Sequence, residues 1–252
     1  MKWELPMYNL IEGSKNHSNI GGTNTDSWFL HLIQIHDSAF PTGSFAHSFG
    51  IETYIQEDIL RDENDLTKFL DMYIRYNLAS ADAIFVKKAY YLAQQQDKAS
   101  LIHIENICHG IKLSPETRKA SAMMGRQFLH TVRSLNDNEL IKLWYEKLKN
   151  KEIKGHYSIV YGIYAAIIGA DVKMALEMFL YSSVTALVQN AVRAVPLGQM
   201  SGVKAVFTLL PVIQETARQV MTLNLDDLDN NSIALEIASM KHEFLHSRLF
   251  IS

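Results

Sequence analysis

One stretch, residues 157–187, constrains this fold more than any other. It carries almost no charge, and Gly162, Ala165, Ala166, Gly169, Ala175 and Ala186 are spread among its large apolar residues. Small side chains at such positions let helices approach closely around a common centre, so the core is expected here. The rest of the chain agrees: five prolines and twelve glycines in 252 residues leave few breakers among the helix-forming residues. Short loops and the lack of any internal repeat point to an all-α, single-domain helical bundle of roughly ten helices.

The segments can be placed by caps and periodicity. A first helix is expected to open at Asp26 or Ser27, to use Trp28, Phe29, Leu32, Ile33 and Ile35 as its apolar surface, and to stop near Asp37. After the turn at 40–44, a short helix carries Phe45, Phe49, Ile51, Tyr54 and Ile55, with Gly50 as a point of close backbone approach. Asn64 or Asp65 is expected to open one helix, and a similar run over 81–95 to make its pair. Residues 99–108 form another segment, and Ser114-Pro115-Glu116 combines a capping hydroxyl, a first-turn proline and an acid at the positive end of the dipole. Residues 138–149 read as an outer helix with a stripe of Leu140, Ile141, Trp144 and Leu148. A helix over about 199–223 contains Pro211, which is expected to kink it, and an acidic loop at 224–231 precedes a final helix that runs to the terminus.

Composition excludes several function classes. Lys+Arg 24 against Asp+Glu 27 gives a net charge of -3, so no basic field exists to grip nucleic acid. No apolar run reaches the length of about 20 residues that crosses a bilayer. A single cysteine, Cys108, cannot form an internal disulfide and fits a reducing, cytoplasmic compartment. Residues 1–25 lack the apolar core of a signal peptide and read as a flexible leader ahead of a helical domain over 26–252.

Enzymatic motifs are missing or weak. No glycine-rich loop ends in Lys followed by Ser or Thr, so nothing cradles phosphates. Thr42-Gly43-Ser44-Phe45-Ala46 does not make a nucleophile elbow, and Ser44 reads as a helix cap. His242-Glu243-Phe244-Leu245-His246 is a formal H-E-x-x-H, in which two imidazoles one turn apart could share zinc. Only six residues follow it and none is His, Asp or Glu, so a chance pair of solvent-facing histidines is the favoured reading. The remaining histidines are scattered over several helices, Cys108-His109 reads as a small buried thiol beside a hydrogen-bonded ring, and no catalytic residue, metal ligand or cofactor is assigned.

Three segments together resemble a known family. Phe40-Pro41-Thr42-Gly43-Ser44-Phe45-Ala46-His47-Ser48-Phe49-Gly50-Ile51-Glu52 is similar to its opening signature, although Phe40 and Thr42 stand where aliphatic residues are frequent. Val192-Arg193-Ala194-Val195-Pro196-Leu197-Gly198-Gln199 resembles its internal basic-x-Val-Pro-Leu-Gly-Gln motif, and Ser247-Arg248-Leu249-Phe250 its tail; Gly155-His156-Tyr157 with Gly162 is a weaker fourth match. The family is urease accessory protein F.

The resemblance implies an all-α dimer that catalyses nothing itself. It implies a bridge between a D-type or H-type accessory protein and the GTPase accessory protein G, coupling GTP hydrolysis to nickel delivery into apo-urease. Partner-binding positions implied by the matched motifs are Pro41, Gly43, Phe45, Ser48, Glu52, Arg193, Pro196, Gly198, Gln199, Arg248 and Phe250. Arg193 would belong to the surface that influences the GTPase, and Arg248 would order the tail for its recruitment. Against this stand two other readings: a zinc metallopeptidase using His242-Glu243-x-x-His246, and a generic helical adaptor with no metal role.

Overall fold

The computed structural model describes residues 27–195, 197–229 and 232–252. Among them the chain is all-α, with eleven α-helices and no strand. Asp26, the expected leader and Pro196 lie outside the described residues. The helices are α1 (Ser27–His36), α2 (Ile51–Gln56), α3 (Glu63–Met72), α4 (Ala83–Gln94), α5 (Lys98–Ile111) and α6 (Pro115–Leu135). They continue with α7 (Glu139–Lys149), α8 (Tyr157–Ile167), α9 (Val172–Ala194), α10 (Gln199–Thr222) and α11 (Ile233–His242). Short 3-10 turns occupy Ser44–Ala46 and Leu225–Asp227.

Side chains that compete for free N–H groups set most helix starts. Ser114 Oγ accepts from Glu116 N and Thr117 N, Asn138 Oδ1 from Leu140 N, Asp97 Oδ1 from Ser100 N and Asp171 Oδ1 from Met174 N. At α3 the cap is Asp62, which accepts from Asn64 N and Asp65 N at 2.9 Å, two residues ahead of the expected start. Three capping residues, Asp62, Asn64 and Asp65, stand near one another there, and the one preceding the acidic first turn prevails. The expected pair of helices over 64–95 is instead one continuous helix, because the Ala79-Ser80-Ala81-Asp82 join contains no breaker. The mismatch is absorbed by a π-helical segment, Tyr73–Asp82.

The core centres where expected. Helix α8 packs chiefly on α4 and α6, and α10 on α9. A Cβ on Gly162 would lie 2.4 Å from the Val86 carbonyl oxygen, so glycine permits the α8–α4 approach. Ile141 and Trp144 anchor the outer helix α7 with no exposed surface. On α1 the expected apolar surface divides: Leu32 and Ile35 are buried and Trp28 packs beside them, whereas Phe29 and Ile33 are each 43% exposed. Positions 28, 32 and 35 form one stripe, and 29 and 33 fall about 100° round the helix. Helix α10 runs through Pro211 without ending.

Helix α10 ends against a buried cation. Lys87 Nζ donates to the carbonyl oxygens of Met221, at 3.2 Å, and Leu223, which otherwise lack partners at a helix terminus. Lys87→Met keeps the aliphatic stem and removes both bonds, so it should cost about 1–3 kcal/mol of stability. Urea denaturation checks this; an unchanged midpoint would contradict it.

Two histidines, His156 in the core and half-buried His36 at its edge, tie stability to pH. Tyr161 donates its hydroxyl proton to the Ala175 carbonyl, so His36 Nε2 must donate to Tyr161 at 2.9 Å, which leaves His36 Nδ1 unprotonated and without a partner. Burial lowers His36 to about 3, and burial, with Lys112 adding repulsion, lowers His156 to about 3. Both sit below the unfolded value of about 6.5, so the unfolded chain binds more protons at intermediate pH. The stabilisation is complete above that value and drains as pH falls towards 3, by on the order of 1 kcal/mol per histidine per pH unit. Thermal unfolding at pH 7 and pH 5 tests it, with a clear fall in Tm at pH 5 expected and a flat profile contradicting the account.

Candidate functional site

The three motif segments, far apart in sequence, meet at one place. The turn over 43–50 is possible because Gly43 and Gly50 take φ of 78° and 87°. Gly50 also lies against α11, where a Cβ would come within 3.1 Å of the Leu235 carbonyl oxygen, and this bears out the expected close approach. Ser44 is not the cap that the sequence suggested: the residue at the N-cap is Gly43, and Ser44 hydrogen-bonds Thr42.

The tail then runs back along this turn. The expected final helix stops at His242, and residues 243–252 leave it. Leu249 N donates to Glu52 Oε1 at 2.7 Å and Phe250 N to Glu52 Oε2 at 3.2 Å, so a buried carboxylate replaces the helical carbonyls as acceptor. Ile251 N donates to the Ala46 carbonyl at 2.9 Å, Ser48 N donates to the Ser252 carbonyl, and His47 Nδ1 meets Ser252 Oγ at 2.7 Å. Gln56 Nε2 donates to the Ser247 carbonyl at 2.7 Å.

Helix α9 supplies the third wall. Asn190 Nδ2 donates to the His47 carbonyl at 2.8 Å, and one turn on Arg193 donates to the Phe45 carbonyl at 3.1 Å. The Arg193 guanidinium also lies 5.1 Å from the centre of the Phe250 ring, a cation–π contact on a ring that is 4% exposed. Around Arg193 the apolar side chains of Phe45, Leu249 and Ile251 are 61%, 53% and 54% exposed.

Beneath the surface lies a charged cluster. His242 is fully buried, with Nε2 2.8 Å from Glu52 Oε2 and Nδ1 2.8 Å from Glu116 Oε2, while Arg248 reaches Glu116 Oε1 at 3.4 Å. A ring that donates to a carboxylate from each nitrogen is an imidazolium, so two anions and two cations alternate. This geometry corrects the reading of His242 as solvent-facing, while His246 is exposed as expected. It also removes the zinc motif, since Glu243 caps the end of α11, His246 lies beyond the helix, and both His242 nitrogens are taken.

Residues 60–210 match the family model UreF. The urease accessory protein UreF of Sporosarcina pasteurii is 67% identical over 202 residues, covering 80% of this chain and all of the relative. The chain belongs to the UreF family. In this UreF-family chain the model match includes Arg193, Gly198 and Gln199 but neither the 40–52 turn nor the tail.

The expected site residues divide into two groups. Pro41, Phe45, Arg193, Gly198, Gln199 and Arg248 are exposed, whereas Ser48, Glu52 and Phe250 are buried and hold the assembly together; Gly43 is half-buried. Sequence reasoning missed Asn190, took Glu116 only as a first-turn acid and His242 only as one of a chance pair, and took His47 only as part of a motif. Their partners lie 126 to 205 residues away, a separation at which no local spacing rule operates.

Proposed function

We propose that this protein is a non-catalytic scaffold for urease maturation, bridging a D-type or H-type accessory protein and the G-type GTPase so that GTP hydrolysis drives nickel into apo-urease. The single observation that carries the reading is the joining of the three family-like segments into one face, with Arg193 at its centre. Exposed Phe45, Leu249 and Ile251 around two exposed guanidiniums, Arg193 and Arg248, supply what partner recognition needs, namely apolar anchors flanked by groups that grip carboxylates. Gly198, at the N-cap of α10, and Gln199, its first residue, extend this face, and Pro41 and Gly43 shape its turn. Ser48, Glu52 and Phe250 act from inside by setting its shape. Pro196 belongs to the same proposed set by its motif alone.

A pull-down tests the bridge. With this chain as bait, both the D-type or H-type protein and the GTPase should be retained. Arg193→Ala should weaken retention of the GTPase by about tenfold or more while leaving the helical spectrum unchanged. Equal retention by the variant would remove Arg193 from the interface.

The homodimer belongs to the same proposal. Met200, Val203, Phe207 and Leu210 form a 3-4-3 stripe along α10, exposed by 65%, 59%, 74% and 37%, the spacing of a helix seam. Phe207→Glu should convert a dimer to a monomer in light scattering, and an unchanged mass would place the contact elsewhere. Among the described residues no helix is long and apolar enough to cross a membrane, and the proposed place of work is the cytoplasm.

A further inference from the structure

Charge is unevenly divided along this chain. Residues 98–154, from the start of α5 to the loop after α7, carry eleven Lys and Arg against six Asp and Glu, a balance of +5 in a chain of -3, so the remainder carries -8. The acids of this stretch are mostly engaged: Lys142 holds Asp137 and Glu139, Lys147 holds Glu152, and His242 and Arg248 hold Glu116. Glu105 is buried and accepts from three backbone N–H groups. Among the described residues, Glu146 alone of the six has no such partner.

The unmatched cations gather on one helix face. Lys119, Met123, Arg126, His130 and Arg133 follow one another along α6 at steps of four, three, four and three residues, and all five are exposed. That spacing keeps them on one side of the helix, opposite buried Met124, Phe128 and Val132. Lys119, Arg126 and Arg133 stand seven residues apart, about 10.5 Å, so three cations lie in file over about 21 Å. Two are held by neutral groups: Arg126 Nε donates to the Lys154 carbonyl at 3.1 Å, and the Arg133 guanidinium lies 4.0 Å from the centre of the Tyr145 ring. A guanidinium held in this way keeps free N–H edges for a carboxylate and loses less freedom on gripping one. No carboxylate among the described residues pairs with any of the three.

We propose that this face of α6 is a docking ridge for a partner helix that carries Asp or Glu at every seventh residue. Charge count and spacing select the occupant. A nucleic-acid duplex presents one charge per about 1.7 Å, about twelve over the length of the ridge, most of which three cations would leave unmatched. The net charge of -3 would repel such a polymer further. A helix with one carboxylate per two turns presents three, each opposite a cation, as charged flanks do in paired helices. Met123, 37% exposed between Lys119 and Arg126, takes an apolar side chain from the same partner face. These five residues belong to none of the family-like segments, so the ridge stands whether or not the chain bridges the proposed partners.

Titration of the full chain with a synthetic helical peptide tests this. The probe carries three Glu, each seven residues from the next, and its control has the same composition with the three Glu adjacent. At low salt the spaced peptide should bind about tenfold tighter than the control, and about 0.5 M salt should remove the difference. The combined substitution Lys119→Gln, Arg126→Gln, Arg133→Gln should abolish the preference and leave the helical spectrum unchanged, because all three side chains are exposed. Lys98→Gln, Lys149→Gln, Lys151→Gln removes the same charge from exposed positions off the ridge and should keep the preference. Equal binding of the two peptides by the native chain would overturn the proposal, as would equal effects of the two triple substitutions. A DNA duplex that displaces the spaced peptide at equal concentration, and that the ridge variant no longer binds, would overturn it too, since the ridge would then be a nucleic-acid surface.

Discussion

Glu52→Ala should lower the stability of this protein by about 3 kcal/mol and release its tail, since breaking a buried, hydrogen-bonded charge pair costs about 3–5 kcal/mol. The carboxylate is 3% exposed and takes three bonds, from His242 Nε2, Leu249 N and Phe250 N. Alanine leaves a buried imidazolium facing only Glu116 and strips two amides of their acceptor. For a chain of this size that loss corresponds to a fall in Tm of about 6–12 °C. Glu52→Gln retains a carbonyl for one amide and should fall between the two. Calorimetry with hydrogen exchange at Leu249 and Phe250 reads both effects. A variant as stable as the native chain with a protected tail would show that Glu52 does not hold the tail.

Gly125→Ala should be at least as damaging. An added Cβ would lie 2.0 Å from the Gly155 carbonyl oxygen, 2.7 Å from Tyr157 N and 2.8 Å from the His156 carbonyl carbon. All three are backbone, and that backbone is fixed, because Glu105 Oε1 accepts from Lys154 N, Gly155 N and His156 N at 3.2, 2.6 and 3.1 Å. Relief of the clash requires α6 and the α7–α8 loop to separate, giving up those bonds and the packing of Phe128 against Tyr157 and Tyr164. The expected loss is about 3–5 kcal/mol, at the upper end for single substitutions. Gly110→Ala is the matched control: it also lies in a helix, meets nothing within 4 Å, and should gain a few tenths of a kcal/mol. Equal denaturation midpoints for the two variants would contradict the close approach.

What the sequence disclosed follows from the range of the interactions involved. Helix starts at Ser114 and Asn138 are local devices, complete within three residues, and were legible. The start at Asp62 was misplaced because several competent caps crowd one another. The π-helical join was not legible, since nothing in 79–82 marks where two helical registers meet. In the site, the motif residues could be named together, yet nothing local separated exposed Phe45 from buried Phe250. The Glu52 bond to Leu249 spans 197 residues and the His242 bond to Glu116 spans 126, so a tail that looked helical and a histidine that looked solvent-facing were both settled by distant partners.

Nickel incorporated into urease is the most direct measure of the proposed role. Apo-urease, the D-type or H-type protein, the GTPase, GTP and nickel are combined with this chain or with a Phe45→Ala, Arg193→Glu double variant, which alters the exposed face and leaves the core intact. The scaffold reading predicts near-complete metal content with the native chain and about a tenfold lower yield with the variant, whose fold and GTP-independent properties are unchanged. Equal nickel content with native chain, variant or no added chain would contradict it.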